Sequence, residues 1–400
     1  MKIRMLSICC IASATVITFS LHAMIKFPRR MIVTAPVADI RAEPEADTCA
    51  GILPRLKKDN PLQITQVLMG EYLMATKACK NYTTNQGWFY VYALEQRSFA
   101  QGKKINYAAG WIQENQIAPV TDFPATNIIA AKQWVSVYER PNTEAKEITS
   151  ISIGTKLLSK KLDVEWSKVF LPNGSVGAIR TKDIYYNHPE VHEDEASLRK
   201  NICATAATFL GNQLSTWGMP PYEPTPYNWG GRSAYDRDNS QQTSVDAPGL
   251  INLMYRANGL EIPRDAIGQY VNCNKIKHGK DVKPGDLIFF ASQNNPYEIN
   301  HVTMCTHDQT SGGYLILQTS PADHGNTHQL ADIHMFDTPI TKLKSGDVDK
   351  TNVVYFGSYL NDRGLITILR NQSLCTTFPE PRQFAETVTT TTSTEQLKTA

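Results

Sequence analysis

The sequence predicts an α+β protein in which two small all-β units precede a larger unit of helices packed on an antiparallel sheet. Three observations lead to this prediction. The first part of the chain contains short β-like runs separated by Gly-, Asn- and Lys-rich stretches, without a sustained helical period. A similar succession of runs returns between Asn127 and Tyr186, which indicates an internal repeat. The remaining part contains helical stretches followed by apolar or alternating strands.

The length and composition are those of a multidomain globular protein. A chain of 400 residues is too long for one ordinary core, and we expect three domains. Hydrophobic residues make up 42% of the chain and charged residues 20%, which is typical of soluble proteins. The formal net charge of +2 provides no electrostatic reason for a polyanionic partner, so we expect no binding of nucleic acid.

The N-terminus has the layout of an export signal. Lys2 and Arg4 precede an apolar run from Met5 to Leu21, and the small residue Ala23 follows it. We therefore expect a signal peptide over residues 1–23 and a location in the periplasm or cell envelope. The alternative is an uncleaved N-terminal anchor, which would also place the rest of the chain outside the cytoplasm.

The cysteines and histidines do not predict a metal site. Of the eight cysteines, Cys9 and Cys10 lie in the apolar N-terminal run, and none of the others belongs to a CxxC pair. A bridge between Cys49 and Cys79 is one of many pairings that the sequence leaves open. We expect neither a metal nor a cofactor. Four histidines are expected at solvent-facing loop or strand-end positions, namely His307, His324, His328 and His334.

The two β units share an order of strands and turns. We place the first at residues 31–122 and the second at residues 125–187. Each contains a W-x-x-V strand, from Trp88 to Val91 in the first unit and from Trp166 to Val169 in the second. The third unit is placed at residues 195–368, after a linker rich in His and acidic residues. The Thr-rich stretch 376–400 is expected to be disordered.

A buried helix is predicted in the stretch VDAPGLINLMYRANG. Pro248 stands in the first helical turn, apolar residues follow at helical spacing, and Gly259 is placed to end the helix. The helix should therefore begin at or just after Ala247. The later segments VKPGDLIFFAS, HVTMCTH and YLILQTS read as strands, so this helix is expected to pack on an antiparallel sheet.

Five ordered motifs in residues 195–365 carry a resemblance to a known family. They are Tyr227-x-Trp229-Gly230-Gly231, Asp246-Ala247-Pro248-Gly249-Leu250, Pro263-Arg264-Asp265-Ala266 with Gln269, Pro284-Gly285-Asp286-Leu287-Ile288-Phe289, and His301-Val302. In this order they closely resemble the NlpC family of cell-wall peptidases. With two SH3-like repeats in front, the chain resembles the γ-D-glutamyl-L-diamino acid endopeptidases, also called dipeptidyl-peptidase VI. The resemblance implies two small SH3-like barrels followed by a papain-like NlpC domain.

The resemblance also assigns catalytic positions. Members cleave the bond between D-Glu and the diamino acid in L-Ala-γ-D-Glu-L-diamino acid peptides, using a cysteine at the head of the buried helix. A thiol suits that position because the helix dipole favours the thiolate and a nearby imidazole serves as its base. A polar group on the next strand orients that imidazole. In this sequence the nucleophile, the base and the orienting group fall on Ala247, His301 and Gln318. Alanine cannot act as a nucleophile, and Pro248 replaces the serine that follows in the family.

The substrate-binding residues are likewise implied by the resemblance. Asp265 matches the family aspartate that pairs with the amino group of the substrate L-Ala, and capping of a helix is the alternative role. Tyr227 and Trp229 match family residues that flank the cleft, and packing beside the glycine turn is their alternative role. Two residues of the first SH3-like unit are expected to reach the cleft. The expected set is Tyr227, Trp229, Asp246, Asp265, Glu71 and Tyr107.

Three functional hypotheses follow. The first is a degenerate peptidase that binds peptidoglycan stem peptides, or a partner, without hydrolysing them. The second is an active hydrolase, which would require another nucleophile such as Ser244, or a natural cysteine that Ala247 replaces by engineering. The third is an envelope scaffold that binds a protein partner through its SH3-like units.

Overall fold

The computed structural model describes most of the three predicted units. The described residues are 26–46, 57–81, 83–98, 106–186, 194–209, 226–235, 243–306, 316–317 and 338–360. The predicted signal peptide, the Thr-rich tail, Gln318, Cys49 and most of the AYDRDNSQQTS segment before Asp246 lie outside them. Within the described ranges, no helix is long and apolar enough to cross a membrane.

The first unit is an antiparallel seven-stranded sheet. Its strands are β1 (Arg29–Val33), β2 (Val37–Arg41), β3 (Gln63–Leu68), β4 (Tyr72–Lys80), β5 (Gly87–Ser98), β6 (Asn106–Gln113) and β7 (Ile117–Pro119), in the order β3-β2-β6-β5-β4-β1-β7. Its core contains Ile40, Val67, Leu73, Val91 and Ile112, which are all buried. The sheet therefore begins two residues before the predicted boundary at residue 31.

The second unit repeats the topology of the first. Its strands are β8 (Ile128–Ala130), β9 (Trp134–Tyr138), β10 (Glu147–Ser152), β11 (Lys156–Lys161), β12 (Trp166–Phe170), β13 (Val176–Arg180) and β14 (Ile184–Tyr186), in the order β10-β9-β13-β12-β11-β8-β14. Numbered within each unit, the two orders are identical, so the two β units fit the expected repeats. Over the described residues each sheet is open in this order, and closure into an SH3-like barrel stays a prediction.

The third unit has helices on one face of an antiparallel sheet. Its helices are α1 (Glu195–Ala207), α2 (Ala247–Ala257) and α3 (Ala266–Asn272). Its strands are β15 (Asn274–Ile276), β16 (Leu287–Ser292), β17 (Asn295–Cys305), β18 (Ile316–Leu317), β19 (Val348–Asp349) and β20 (Asn352–Ser358), with the order β15-β20-β16-β17-β18 and β19 beside β20. Leu253 of α2 shares one core with Phe289 and Val302 of the sheet. The helix-on-sheet arrangement is as expected, while a papain-like arrangement beyond it stays a prediction.

Helix α2 begins where the local sequence predicts. Ala247 is its first residue, Pro248 follows in the first turn, and the side chain of Asp246 caps the N-terminus. Gly259 lies just beyond the other end at a φ of +82°, in the left-handed region that favours glycine. All but one of the helix residues are buried, as expected for a helix that packs on both the sheet and the β units.

The turn between β3 and β4 joins all three units. Leu68 lies in the core of the third unit and Met69 in the core of the second. Gly70 has a φ of +84°, and a Cβ there would lie 2.6 Å from the carbonyl oxygen of Lys156 in the second unit. The three units therefore share one junction, and this turn lies at its centre.

Candidate active-site region at the head of helix α2

The carboxylate of Asp246 ties the helix head to the preceding glycine turn. Its Oδ1 accepts the backbone N–H of Gly249 at 2.8 Å, which caps α2. Its Oδ2 accepts the N–H of Gly230 at 3.0 Å and Nη2 of Arg264 at 2.9 Å. A Cβ on Gly249 would lie 2.2 Å from the carbonyl oxygen of Gly231, so only glycine permits this approach. Gly249 is therefore required for the close packing of α2 against the glycine turn.

Ala247 is the residue that the sequence motifs predict at the nucleophile position. It is the first residue of α2, at the positive end of the helix dipole, and is only 5% exposed. Its methyl group has no lone pair and no ionisable proton, so it cannot attack a carbonyl. Ser244 does not replace it, because its buried hydroxyl donates to the carbonyl of Pro226.

His301 lies on β17, the strand that packs against α2 through Val302. It is half-buried, and its ring centroid is 5.7 Å from that of Phe290, the residue opposite on β16. Gln318, the expected orienting residue, lies outside the described residues and directly follows β18. Pairing of His301 with Gln318 therefore stays a prediction.

Asp265 combines a capping role with an unused acceptor. Its Oδ1 accepts the N–H of Gly268 at 2.6 Å and so caps α3. Its Oδ2 is buried and accepts no hydrogen bond from the described residues. A buried carboxylate oxygen is costly unless it meets a donor, so this atom is suited to receive an N–H from a bound molecule.

Gln269 connects α3 to the head of α2. Its Nε2 donates to the carbonyls of Pro248 and Pro263, both at 3.0 Å. These two bonds fix the orientation of the amide, since only the NH₂ group can donate to two carbonyls. The loop that carries Asp265 is thereby held next to residue 248.

The two motif aromatics lie in different surroundings. Tyr227 is 8% exposed, and burial, followed by the charge of Asp246, raises the pKa of its phenol above the ordinary value. The phenol therefore stays protonated at neutral pH. Trp229 is half-buried, and Nζ of Lys57 lies 5.2 Å from its ring centroid. Trp229 thus contacts the first β unit.

Glu71, expected at the cleft, lies in the junction between units. Its side chain is 1% exposed, its Oε1 accepts Nη1 of Arg232 at 2.6 Å, and its Oε2 accepts Nε2 of Gln96 at 3.1 Å. Tyr107 pairs with Arg97 across β5 and β6 and packs on a small cluster around Met74. The structure thus assigns Glu71 an interdomain ion pair, and direct contact of either residue with substrate stays a prediction.

The sequence interpretation missed the arginines that hold the units together. Arg256, on α2, is fully buried and donates to the carbonyl of Gly154 in the second unit at 2.8 Å. It also donates to Glu95 of the first unit at 2.9 Å and to Glu261 at 2.7 Å. Burial raises the pKa of Glu261, but Arg256 and Lys156 outweigh it and bring that pKa to about 2. The position of Arg256 inside the apolar pattern of α2 is the sequence signal that could have indicated its burial.

No group of three or more His, Cys, Asp or Glu side chains able to hold a metal ion occurs among the described residues. The N-terminus of α2 offers several hydrogen-bonding groups to a ligand. Those groups comprise the capped helix N-terminus, the neutral phenol of Tyr227 and the buried Oδ2 of Asp265, which is unpaired within the described ranges.

Comparison with known proteins defines the class to which this site belongs. The model of the NlpC/P60 family matches residues 224–339, which include the glycine turn, α2, α3 and β17. The C-terminal unit of this chain is therefore an NlpC/P60 domain, and the protein is a homologue of the cell-wall peptidases of that family.

Two relatives show which peptidases of the family this chain is similar to. The chain is 26% identical over 205 residues to a γ-D-glutamyl-L-lysine dipeptidyl-peptidase of Bacillus cereus, an alignment that covers 50% of this chain and 54% of that protein. The chain thus spans about half the length of this relative. It is 24% identical over 279 residues to dipeptidyl-peptidase 6 of Lysinibacillus sphaericus, with 65% and 80% of the two chains covered.

A solved structure supports the fold across the units. The crystal structure of an NlpC/P60 family protein from Bacillus cereus aligns with a TM-score of 0.58 at 19% identity, covering 83% of this chain and 99% of that one. At this identity the likeness concerns the fold alone. The two β units and the NlpC/P60 domain thus occur together in a protein of known structure.

Proposed function

We propose that this protein binds peptidoglycan stem peptides that begin with L-Ala-γ-D-Glu-diamino acid and does not hydrolyse them. The observation that carries the proposal is Ala247, which begins α2 at the nucleophile position while the hydrogen bonds around it are complete. A covalent mechanism needs a nucleophile activated by a neighbouring base, and this helix head offers a methyl group instead.

Binding is supported by groups that the missing thiol does not affect. The Oδ2 of Asp265, which is buried and accepts no hydrogen bond from the described residues, is suited to an ammonium group, such as the free amino group of an N-terminal L-Ala. The protonated phenol of Tyr227 and the N-terminus of α2 favour carboxylate or carbonyl oxygens. Two relatives of this chain, from Bacillus cereus and Bacillus subtilis, are γ-D-glutamyl-L-lysine dipeptidyl-peptidases, which supports this class of ligand.

An exported location would bring the protein to this ligand. The N-terminal segment supports export, either as a cleaved signal peptide or as an anchor. A protein partner that binds through the two β units belongs to the same proposal, because a non-hydrolytic homologue could act by presenting or sequestering a bound peptide.

Isothermal titration with the tripeptide L-Ala-γ-D-Glu-diaminopimelate tests the proposal. The parent chain should bind it, and Asp265→Asn should weaken binding by about tenfold or more, because a charge-assisted hydrogen bond is lost. Asparagine still caps a helix, so α3 should be retained. Asp194→Asn, at the exposed cap of α1, is the matched control and should leave binding unchanged.

Two outcomes would contradict the proposal. The absence of any heat of binding with the parent chain would favour a scaffold that acts through its β units. Equal affinities of the parent and Asp265→Asn would remove Asp265 from the ligand site.

A further inference from the structure

A buried chain of side chains runs from the first β unit to the cap of α2. Thr65 on β3 is fully buried, and its hydroxyl accepts Nε of Arg264 at 2.9 Å. Arg264 in turn donates to Oδ2 of Asp246 at 2.9 Å, and Asp246 caps α2. A single side chain, that of Arg264, therefore connects the first β unit to Asp246, the residue that precedes position 247.

The orientation of each group in this chain is fixed from both ends. The Thr65 hydroxyl donates to Oε1 of Gln96 at 2.7 Å, so its lone pair is directed to Arg264. Gln96 uses its own NH₂ group on the carbonyl of Gln66 at 2.7 Å and on Glu71 at 3.1 Å. The amide therefore has one arrangement, and the Thr65 hydroxyl favours Gln96, because its other acceptor, the carbonyl of Gln66, is 3.5 Å away.

A second bond from the same unit holds the backbone of Arg264. Its N–H donates to the carbonyl of Arg97 on β5 at 3.0 Å. The guanidinium also donates to the carbonyl of Gly231 at 3.2 Å. Arg264 is only 6% exposed, so loss of any of these acceptors would leave a buried donor unsatisfied.

We propose that Thr65 and Arg264 are positioning residues, through which the first β unit sets the geometry of the α2 N-terminus. Asp246 can accept the N–H groups of Gly249 and Gly230 at the same time only in one orientation of its carboxylate. The hydrogen bond from Arg264 holds the carboxylate in that orientation. The helix head is thus organised by a residue of another unit. The proposal deepens the proposed function, since the site it organises is the peptide site.

The hydrogen bonds from Thr65 through Arg264 to Asp246 are called the relay below. A thiol introduced by Ala247→Cys in the full chain tests this relay without any ligand. The rate of its reaction with methyl methanethiosulfonate is followed over a range of pH, by mass spectrometry of the peptide that contains residue 247. The midpoint of the rate profile reports how well the helix head favours the thiolate. Changes in access scale the rate at every pH and leave the midpoint in place.

In this background Thr65→Val should raise the midpoint by about half a pH unit, because valine cannot accept from Arg264 and the cap loosens. Thr65→Ser keeps the hydroxyl and should restore the parent midpoint. Thr76→Val is the matched control, because Thr76 is buried on β4 of the same unit and its hydroxyl makes no hydrogen bond within the described residues. Its midpoint should equal that of the parent.

A midpoint that is equal in Thr65→Val and Thr76→Val would overturn the relay, as would a shift in Thr65→Ser as large as that in Thr65→Val. Should Thr65→Val fail to fold, Arg264→Lys serves instead, since one ammonium cannot bridge Thr65 and Asp246 as the guanidinium does. An unmoved midpoint in that variant contradicts the relay too. The thiol profile is independent of peptide binding, so failure of the relay and failure of the proposed function are distinguishable.

Discussion

At the scale of single residues, the proposed absence of hydrolysis rests on two neighbouring residues, Ala247 and Pro248, at the N-terminus of α2. The backbone on either side of Ala247 is held by the Asp246 cap, the glycine turn and the bond from Gln269 of α3 to Pro248. The sequence was sufficient to predict that α2 begins at Ala247, because the signals around that residue are local. It could not predict that Glu71 is buried in an ion pair, because the Arg232 partner lies 161 positions away.

The thiol of Cys273 should make stability depend on alkaline pH. Burial raises its pKa to about 11, above the ordinary thiol value of about 8.5. Between these values the unfolded chain loses the thiol proton and the folded chain keeps it, so stability falls as pH rises. Cys273→Ala should reduce the slope of unfolding free energy against pH in this window by about 1.4 kcal/mol per pH unit. Urea unfolding at pH 8, 9 and 10 measures it, and parallel slopes for parent and variant would contradict the assignment.

At the scale of elements, α2 combines a start that the sequence predicts with surroundings that it does not. Pro248 and Gly259 are local signals, so the bounds of the helix could be predicted from the sequence. Arg256 is different, because its place in the apolar pattern of α2 hints at burial, whereas its partners Gly154 and Glu95 lie in other units and are seen only in the structure. Local patterns predict where a helix begins and ends, whereas contacts between units decide which charges become buried.

The cap of α2 should contribute more to stability than that of α1. Asp246→Ala removes a cap and leaves Arg264 as a buried guanidinium without its carboxylate, at a cost of about 3 kcal/mol or more. Asp194→Ala removes an exposed cap that has no arginine partner among the described residues, so it should destabilise the protein less than Asp246→Ala does. Urea denaturation of both variants measures the difference. Equal losses would mean that Arg264 does not depend on Asp246.

At the scale of the whole molecule, three units are joined by one buried network of opposite charges. Arg256 contacts all three units, and Arg232 pairs with Glu71 across the junction of the first and third. The repeat of the two β units could be predicted from their matched strand patterns. Their attachment to the third unit could not, since the charged residues that form it pair with residues far away in the sequence, as Arg256 does with Glu95 and Arg232 with Glu71.

The junction should make the units unfold together. Glu71→Gln leaves Arg232, which is fully buried, without its counter-charge and should cost about 3 to 5 kcal/mol. Scanning calorimetry should show one transition for the parent chain and separate transitions for this variant. Glu165→Gln is the matched control in a surface pair with side chains 31% and 72% exposed, and it should change stability by less than about 0.5 kcal/mol. Equal effects of the two substitutions would contradict an energetic role for the junction.

The most direct test of non-hydrolytic binding is incubation of the protein with L-Ala-γ-D-Glu-diaminopimelate, followed by mass spectrometry for free L-Ala-D-Glu. The parent chain should release none above the rate without protein, because residue 247 has no nucleophile. Ala247→Cys combined with Pro248→Ser is the matched variant and shows whether the rest of the site can support cleavage. Release of the dipeptide by the parent chain at enzyme-like rates would contradict the account.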